Sequence, residues 1–368
     1  MNYLKLAQVC KINMGQSPES STYNNEGDGL PFFQGNADFG EICPVARIWC
    51  NRPTKIAQEG DILISVRAPI GSINYATEMC CIGRGLAAIT PDTKKVFSDF
   101  IYWLLKAKNA ELNSKGTGST FKAIGKKVLE EFLVPDISLE KQKEYTEVIK
   151  NTFEIIHMRQ MQKRTLDNLI KARFVEMFGD PETNPKGWKK GPLADVITTA
   201  NNGMARRGNG EDGNIVMRLV ELQDGYIDYS RPNRIVLTDK EKKRYLLKDK
   251  DFLFARVNGN PENVGRCAVF YDIGEPVFHN DHIIRVHFDD NVLEGPFASA
   301  LLNSEYGKRQ LRNQIKTSAG QYTVSQDGIG AIVAILPPIE AQRQFASFVA
   351  QVDKSKVVVH KGSVLERT

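Results

Sequence analysis

The hydrophobic and polar positions divide the chain into two kinds of segment. Over residues 1–136 the apolar runs are short and punctuated by glycine and proline, as is typical of strands joined by turns, and residues 61–67 and 85–89 are the clearest strands. Residues 139–178 contain no proline or glycine and carry apolar side chains at alternating spacings of three and four. This spacing predicts a single amphipathic helix that is roughly 60 Å long at 1.5 Å per residue.

The same order of segments occurs twice, displaced by about 200 residues. The matching segments are 132–149 and 335–349, 60–67 and 250–256, and 6–9 and 193–196. Strand, helix and loop are therefore expected at 61–67, 97–112 and 115–122, and again at 251–257, 296–315 and 317–322. Two similar halves, each closed by a helix, hold two similar surfaces a fixed distance apart. That geometry suits a partner with its own repeat, and duplex DNA is the first candidate.

The two helical segments each carry a heptad-like apolar seam. The first seam consists of Tyr145, Val148, Thr152, Ile155, Leu166 and Leu169, and the second of Phe345, Phe348, Val352 and Val359. Two such seams in one chain are expected to pack antiparallel as a coiled coil, with the globular halves at the ends of a rod. In the alternative arrangement, each helix only closes its own domain.

Composition limits the class of protein. With 368 residues, 41% hydrophobic and 25% charged, the chain is expected to be a soluble two-domain protein. No apolar run approaches the roughly 18 residues of a membrane span, so a cytoplasmic location is expected. Six cysteines lack Cys-x-x-Cys spacing, and no zinc site is expected. A net charge of +5 permits nucleic-acid binding without requiring it.

Motifs for catalysis are not evident. The chain has no Walker loop, and residues 336–339 (Leu-Pro-Pro-Ile) lack the polar residue and the aromatic of the motif typical of amino-methyltransferases. His279 and His282 are close in sequence, but on a strand they would point to opposite faces, which favours a structural role over metal binding. The sequence therefore predicts a binding protein with no catalytic residue and no metal.

Candidate DNA contacts combine small polar side chains, aromatic rings and arginines that neighbour glycines. Hydroxyls and backbone amides suit phosphate, the arginine fork suits guanine or phosphate, and amide side chains suit adenine. The candidates of the first half are Gln34, Asn36, Arg67, Arg84, Thr117, Ser119, Thr120, Phe121 and Lys122. Those of the second half are Arg206, Arg207, Arg256, Arg266, Lys316, Ser318, Gln321 and Tyr322. The alternatives are ordinary connecting loops, turn residues and surface salt bridges.

Taken together, these segments resemble the DNA specificity subunit of type I restriction-modification systems. The resemblance is carried by residues 15–18 (Gly-Gln-Ser-Pro), 30–36, 60–71, 82–85 (Ile-Gly-Arg-Gly) and 118–121, and by the Glu-x-Gln start of each long helix. It implies an α+β fold with two α/β target-recognition domains, at 1–136 and 181–337. Helical regions at 137–180 and 338–368 would form the antiparallel coiled coil, and the second is the shorter.

The resemblance also implies function and partners. Each domain would read one half of a split, asymmetric double-stranded DNA target, while the helices dock methyltransferase subunits, two in number, and the complex includes restriction subunits. S-adenosylmethionine, and ATP with magnesium, would be bound by those partners and not by this chain. Two rivals stay open from the sequence, namely the specificity subunit of a related two-subunit type II system and a two-domain interaction scaffold that does not bind DNA.

Overall fold

The computed structural model describes residues 2–118, 122–206, 208, 210, 212–318 and 320–364, without the side chains of Ser318 and of residues 357–364. The chain divides into two compact units, which we call unit 1 (Met1–His157) and unit 2 (Met158–Thr368). The boundary between them falls inside the predicted long helix. The mixture of helices and sheets with one helix of 40 residues confirms the predicted α+β class.

Unit 1 is built from eleven short strands and the helices between them, over the residues described. Its strands are β1 (Tyr3–Lys5), β2 (Cys10–Met14), β3 (Tyr23–Asn24), β4 (Leu30–Phe33), β5 (Trp49–Cys50), β6 (Ile56–Ala57), β7 (Ile62–Ser65), β8 (Ile73–Tyr75), β9 (Cys80–Ile82), β10 (Leu86–Pro91) and β11 (Leu133–Pro135). Its helices are α1 (Leu6–Val9), α2 (Ser98–Ala107), α3 (Asn109–Ser114), α4 (Lys126–Glu130) and the first part of α5 (Leu139–Phe178).

The centre of unit 1 is an antiparallel sheet in the order β2-β10-β7-β8, covered on both faces. Successive side chains of a strand point to opposite faces. Ile62 and Ile64 accordingly pack with Ile101 of α2, and Leu63 packs with Phe33 on the other face. A second sheet, β3-β5-β4-β9-β6, supplies that other face and contains a parallel pair, β4 and β9. Burial on both sides explains why this stretch of the sequence is a continuous apolar run.

Unit 2 repeats this plan with its own elements. Its strands are β12 (Lys189–Pro192), β13 (Ile197–Asn202), β14 (Asn214–Met217), β15 (Arg234–Ile235), β16 (Phe252–Ala255), β17 (Val257–Asn258), β18 (Cys267–Val269), β19 (Val277–His279), β20 (Ile283–Phe288), β21 (Lys316–Ser318), β22 (Gln321–Thr323) and β23 (Val333–Leu336). Its helices are α6 (Asp239–Tyr245), α7 (Gly295–Leu302), α8 (Glu305–Arg312), α9 (Gln326–Gly330) and α10 (Ile339–Val364), together with the second part of α5.

The central sheet and the parallel pair of unit 2 follow the same order as those of unit 1. The central sheet is β13-β20-β16-β18, and β14 and β19 form the parallel pair. Phe252 and Phe254 face the helices, whereas Leu253 faces the smaller sheet. The repeat seen faintly in the sequence is therefore a repeat of topology.

Within unit 2, the second part of α5 packs antiparallel on α10. The rings of Phe174 and Phe345 lie 5.7 Å apart, and Lys356 Nζ lies 2.8 Å from Asp167 Oδ1. The residues of α5 that are buried here are Phe174 and Phe178, with Ile170 and Met177 partly buried. An aromatic cluster at the end of the helix therefore forms the contact.

The predicted seam residues lie in different environments. Phe345 and Val352 are buried and Phe348 is half-buried, while the side chain of Val359 lies outside the described residues. In α5, Ile155 and Leu166 are half-buried and Thr152 is exposed. Tyr145, Val148 and Leu169 are 45%, 60% and 47% exposed. In unit 1 the helix instead buries Gln142 and Thr146, so the role of the exposed residues in a seam stays a prediction.

Three local predictions were wrong. The helix expected at 296–315 is two helices, α7 and α8, separated at Asn303 and Ser304. Likewise, α2 and α3 replace the single helix expected at 97–112. The loop expected at 317–322 contains the β21–β22 hairpin. In the segment 296–315, the side chain of Ser304 accepts a hydrogen bond from the Gly307 backbone, and this cap starts a new helix.

Candidate nucleic-acid interface

In unit 1, three long-range backbone hydrogen bonds bring separate predicted contact residues together. Gly83 N donates to Phe33 O at 2.8 Å, Val66 N to Gly85 O at 2.9 Å, and Ala68 N to Lys122 O at 3.1 Å. These bonds join the ends of four segments that are distant in sequence. We call the exposed side chains at these ends the unit 1 rim, which consists of Gln34, Arg67, Arg84, Thr117 and Lys122.

Close backbone packing fixes the turn that carries Arg84. Its neighbours Gly83 and Gly85 are buried, and a Cβ on Gly85 would overlap the carbonyl oxygen of Gln34. The Arg84 backbone N–H lies 3.3 Å from Ser17 Oγ, to which it donates. The turn is therefore held from both sides while the Arg84 side chain points into solvent.

The cations of the rim are available to an anion. Among the described residues, no carboxylate lies within 4.0 Å of the charged groups of Arg67, Arg84 or Lys122. The charge of Arg84 opposes the effect of burial, which raises the pKa of Tyr23. Unpaired guanidinium and ammonium groups on a fixed backbone suit phosphate and guanine, because partners need not be displaced first.

The remaining first-half candidates lie beside the rim or outside the described residues, and Thr117 of the rim is itself held by backbone hydrogen bonds. Asn36 is half-buried in a 3₁₀ turn, in which Asp38 Oδ2 accepts from the backbone N–H of Gln34 at 2.7 Å. Thr117 exchanges two backbone hydrogen bonds with Ala123, which also pairs with Arg67. Ser119, Thr120 and Phe121 lie outside the described residues, and their role stays a prediction.

In unit 2 the candidates Arg256, Lys316, Gln321 and Tyr322 lie on adjoining strands and loops. The hairpin pairs Thr317 with Tyr322, and β22 also pairs with β17 beside Arg256. Lys316 and Gln321 are exposed and Tyr322 is half-buried, while the side chain of Ser318 lies outside the described residues. Next to them is an open recess of about 320 Å³, which is lined by Asn202, Arg256, Lys316, Thr323, Val324, Ser325, Gln326 and Asp327.

Two predicted arginines of unit 2 are engaged by carboxylates. Arg206 donates to both oxygens of Glu241, at 3.0 and 2.9 Å, and to the carbonyl of Val236. Arg266 Nε lies 3.5 Å from Asp224 Oδ1. These pairs match the surface salt-bridge alternative, and the guanidinium of Arg256 is also occupied, by the carbonyl oxygen of Asp281 at 3.0 Å. Arg207 lies outside the described residues.

Two residues beside the rim were not predicted from the sequence. Ile82 N donates to Lys55 O at 2.9 Å, and Thr54 Oγ1 donates to Gln16 O at 2.6 Å, so the exposed side chains of Gln16 and Lys55 lie near the Arg84 turn. They belong to loops without apolar periodicity, and only the long-range bonds reveal their position. A Thr-Lys pair following a proline was the one available signal.

Outside the candidate interface, some buried side chains have pKa values that depart from their ordinary values. His279 is buried in β19, and burial lowers its pKa to about 4. Burial likewise raises the pKa of Cys10 and of Cys80 to about 12. No helix within the part of the chain that the structure describes is long and apolar enough to span a membrane.

Comparisons with known proteins show which sequences and folds this chain is similar to. Residues 1–166 match the family model described as type I restriction modification DNA specificity domain. The putative type I restriction enzyme MjaX specificity subunit of Methanocaldococcus jannaschii is 43% identical over 161 residues, which cover 44% of this chain and 38% of that protein. The chain thus spans well under half the length of that relative.

Two further comparisons extend over both units. The type I restriction enzyme EcoKI specificity subunit of Escherichia coli K12 is 23% identical over 339 residues, or 86% of this chain and 72% of that protein. The crystal structure of the type I restriction-modification S subunit from M. genitalium has a TM-score of 0.60 at 15% identity and covers 99% of this chain and 92% of that one, a likeness of fold. The chain is therefore similar to a type I specificity subunit over most of both units, and its residues 1–166 match the model of the type I restriction modification DNA specificity domain.

Proposed function

We propose that this chain is the DNA-recognition subunit of a type I restriction-modification complex. Each unit reads one part of a split, asymmetric double-stranded target. The observation that carries the proposal is the unit 1 rim, where Arg67 and Arg84 are exposed on a fixed backbone with no carboxylate partner among the described residues. Phosphate contacts give affinity, and contacts to base edges in the major groove give sequence preference.

The proposal includes partners that supply the chemistry. Two methyltransferase subunits dock on the helical regions, and restriction subunits join through the complex. Exposed apolar side chains along α5 support such docking, since Met158, Met161 and Val175 are 55%, 47% and 56% exposed. S-adenosylmethionine, and ATP with magnesium, belong to those partners, and this chain is non-catalytic.

The test is to express the chain with its methyltransferase partner in a host without DNA methylation and to map modified bases by single-molecule sequencing. We expect two short defined blocks separated by a fixed gap. A purified complex that leaves the genome unmethylated and binds no duplex would contradict the proposal and favour the protein-binding scaffold. A partner that both methylates and cuts would identify the related type II system, with the same recognition role for this chain.

A further inference from the structure

The turn that carries Arg84 has a structural counterpart in unit 2. Gly83 N donates to Phe33 O at 2.8 Å, and Asn280 N donates to Met217 O at 3.0 Å, in each case from the residue after the second strand of a parallel pair. The turns close in the same way, because Leu86 N donates to Gly83 O at 2.9 Å and Ile283 N to Asn280 O at 3.0 Å.

Contacts with neighbouring segments establish the same register. Val66 N donates to Gly85 O at 2.9 Å, and Arg256 N donates to His282 O at 2.7 Å. A Cβ on Gly15 would overlap the carbonyl oxygen of Gly83, and a Cβ on Gly203 would overlap that of Asn280. The middle residues of the two turns are therefore equivalent, and they are Arg84 in unit 1 and Asp281 in unit 2.

The two equivalent side chains have opposite charge, although the backbone of the two turns makes the same hydrogen bonds. Since the turn is held by backbone hydrogen bonds, the shared fold does not require either side chain. Arg84 is exposed without a carboxylate partner among the described residues, whereas Asp281 is half-buried and its carbonyl accepts from Arg256. A position at which the charge changes sign while the backbone of the turn is kept is suited to meeting different partners.

The chemistry of the two side chains separates the partners that each can meet. A guanidinium presents two parallel N–H donors, which match the O6 and N7 acceptors of guanine in the major groove. An ionised carboxylate has acceptors only, so Asp281 is unable to make that contact.

We infer that Arg84 is a specificity-determining residue of unit 1, and that it donates to O6 and N7 of one guanine in the half-site read by unit 1. This inference rests on the proposed function. It goes beyond that function because it assigns one guanine to one residue of one unit.

The experiment uses the full chain in complex with its methyltransferase partner and the duplex identified by the methylation map. Each guanine of the target is replaced in turn by 7-deazaguanine, which lacks the N7 acceptor but keeps Watson–Crick pairing. Dissociation constants are measured for the wild type, for Arg84→Ala, and for Lys95→Ala as a matched control whose charge is already paired with Asp92.

We expect one 7-deazaguanine to weaken binding by the wild type and by Lys95→Ala about 10- to 100-fold. The same replacement should leave binding by Arg84→Ala unchanged, since the donor is already gone. If every replacement weakens the wild type and Arg84→Ala by equal factors, the assignment is wrong. For each protein, the dissociation constant of the modified duplex is compared with that of the unmodified duplex. A general loss of affinity in Arg84→Ala therefore does not affect the result. A wild-type chain with no target at all would overturn the proposed function instead.

Discussion

Gln142 and Gln342 make the same pair of hydrogen bonds at the same point of the two units. The side-chain oxygen of Gln142 accepts from Phe97 N at 2.8 Å, and that of Gln342 accepts from Glu294 N at 3.0 Å. Their amide nitrogens donate to Ile137 O and to Pro337 O, just before each long helix. Both side chains are buried, so each glutamine fixes the first turn of a long helix to the N-terminus of a helix in its own unit.

The first prediction concerns this contact. Gln342→Leu should lower the free energy of unfolding of unit 2 by about 1–3 kcal/mol, because buried backbone groups at Glu294 and Pro337 lose their partners. Gln344→Leu, two residues away on an exposed position, is the control and should change stability little. Urea unfolding followed by circular dichroism measures both. Equal stability of the two variants would show that the hydrogen bonds are replaced by water.

The second prediction concerns the α5–α10 contact in unit 2. Phe345 is fully buried between Phe174 and Phe178, and Phe345→Ala should cost about 3–5 kcal/mol through the cavity it leaves. Phe348→Ala, which removes a half-buried ring, should cost less. Thermal unfolding of the two variants tests the order, and a larger loss for Phe348→Ala would contradict it.

The third prediction concerns phosphate binding by the unit 1 rim. Arg67→Ala and Lys122→Ala should each weaken duplex binding regardless of sequence and reduce the slope of log K against log salt by about 1. Lys95→Ala removes the same charge from an ion pair with Asp92 and should leave the slope unchanged. Titrations at several salt concentrations provide the slopes. An unchanged slope in both rim variants would remove these residues from the interface.

The fourth prediction concerns thiol reactivity. Burial raises the pKa of Cys81 to about 11 and those of Cys10 and Cys80 to about 12, and Cys50 and Cys267 are also buried. Only Cys43 is half-buried, so at pH 8 the native chain should show one fast-reacting thiol with a disulfide reagent. Cys43→Ser should abolish the fast phase, and denaturant should release the other five. Two or more fast thiols in the native chain would contradict the burial.

The fifth prediction concerns pH. Burial lowers the pKa of His279 in the folded chain from 6.5 to about 4. Below pH 6.5 the unfolded chain therefore binds a proton that the folded chain does not, and stability should fall as the pH drops from 6.5 towards 4. This contribution reaches up to about 3 kcal/mol. Unfolding of wild type and His279→Gln at pH 7.5 and 4.5 measures it, and an equal pH dependence in both would exclude His279 as the cause.

The sequence predicted the elements whose signal is local. The apolar runs around Ile62–Ser65 and Leu86–Pro91 are strands, and the proline-free stretch is one helix, Leu139–Phe178. The return of a glutamine at the start of each long helix also has a structural reason, since Gln142 and Gln342 have the same role.

The sequence did not indicate which distant segments are joined by backbone hydrogen bonds. The bonds of Val66 to Gly85 and of Arg256 to His282 join segments that are distant in sequence, and no local pattern of apolar residues indicates them. The ion pair of Arg206 with Glu241 joins residues 35 apart, which periodicity does not detect. By contrast, Ser304 is a typical N-cap residue, so the sequence within 296–315 did contain a signal for a helix that begins at Glu305.

The two glycines beside Arg84 have a consequence for how this surface can change. A side chain at Gly83 or Gly85 would press on Phe32 or Gln34 and distort the turn, so mutations there are expected to damage folding before they alter binding. The side chain of Arg84 is exposed and has no carboxylate partner among the described residues. Under the role that we infer for Arg84, a substitution at this one position would change DNA preference without a change in stability, whereas the two glycines must stay as they are.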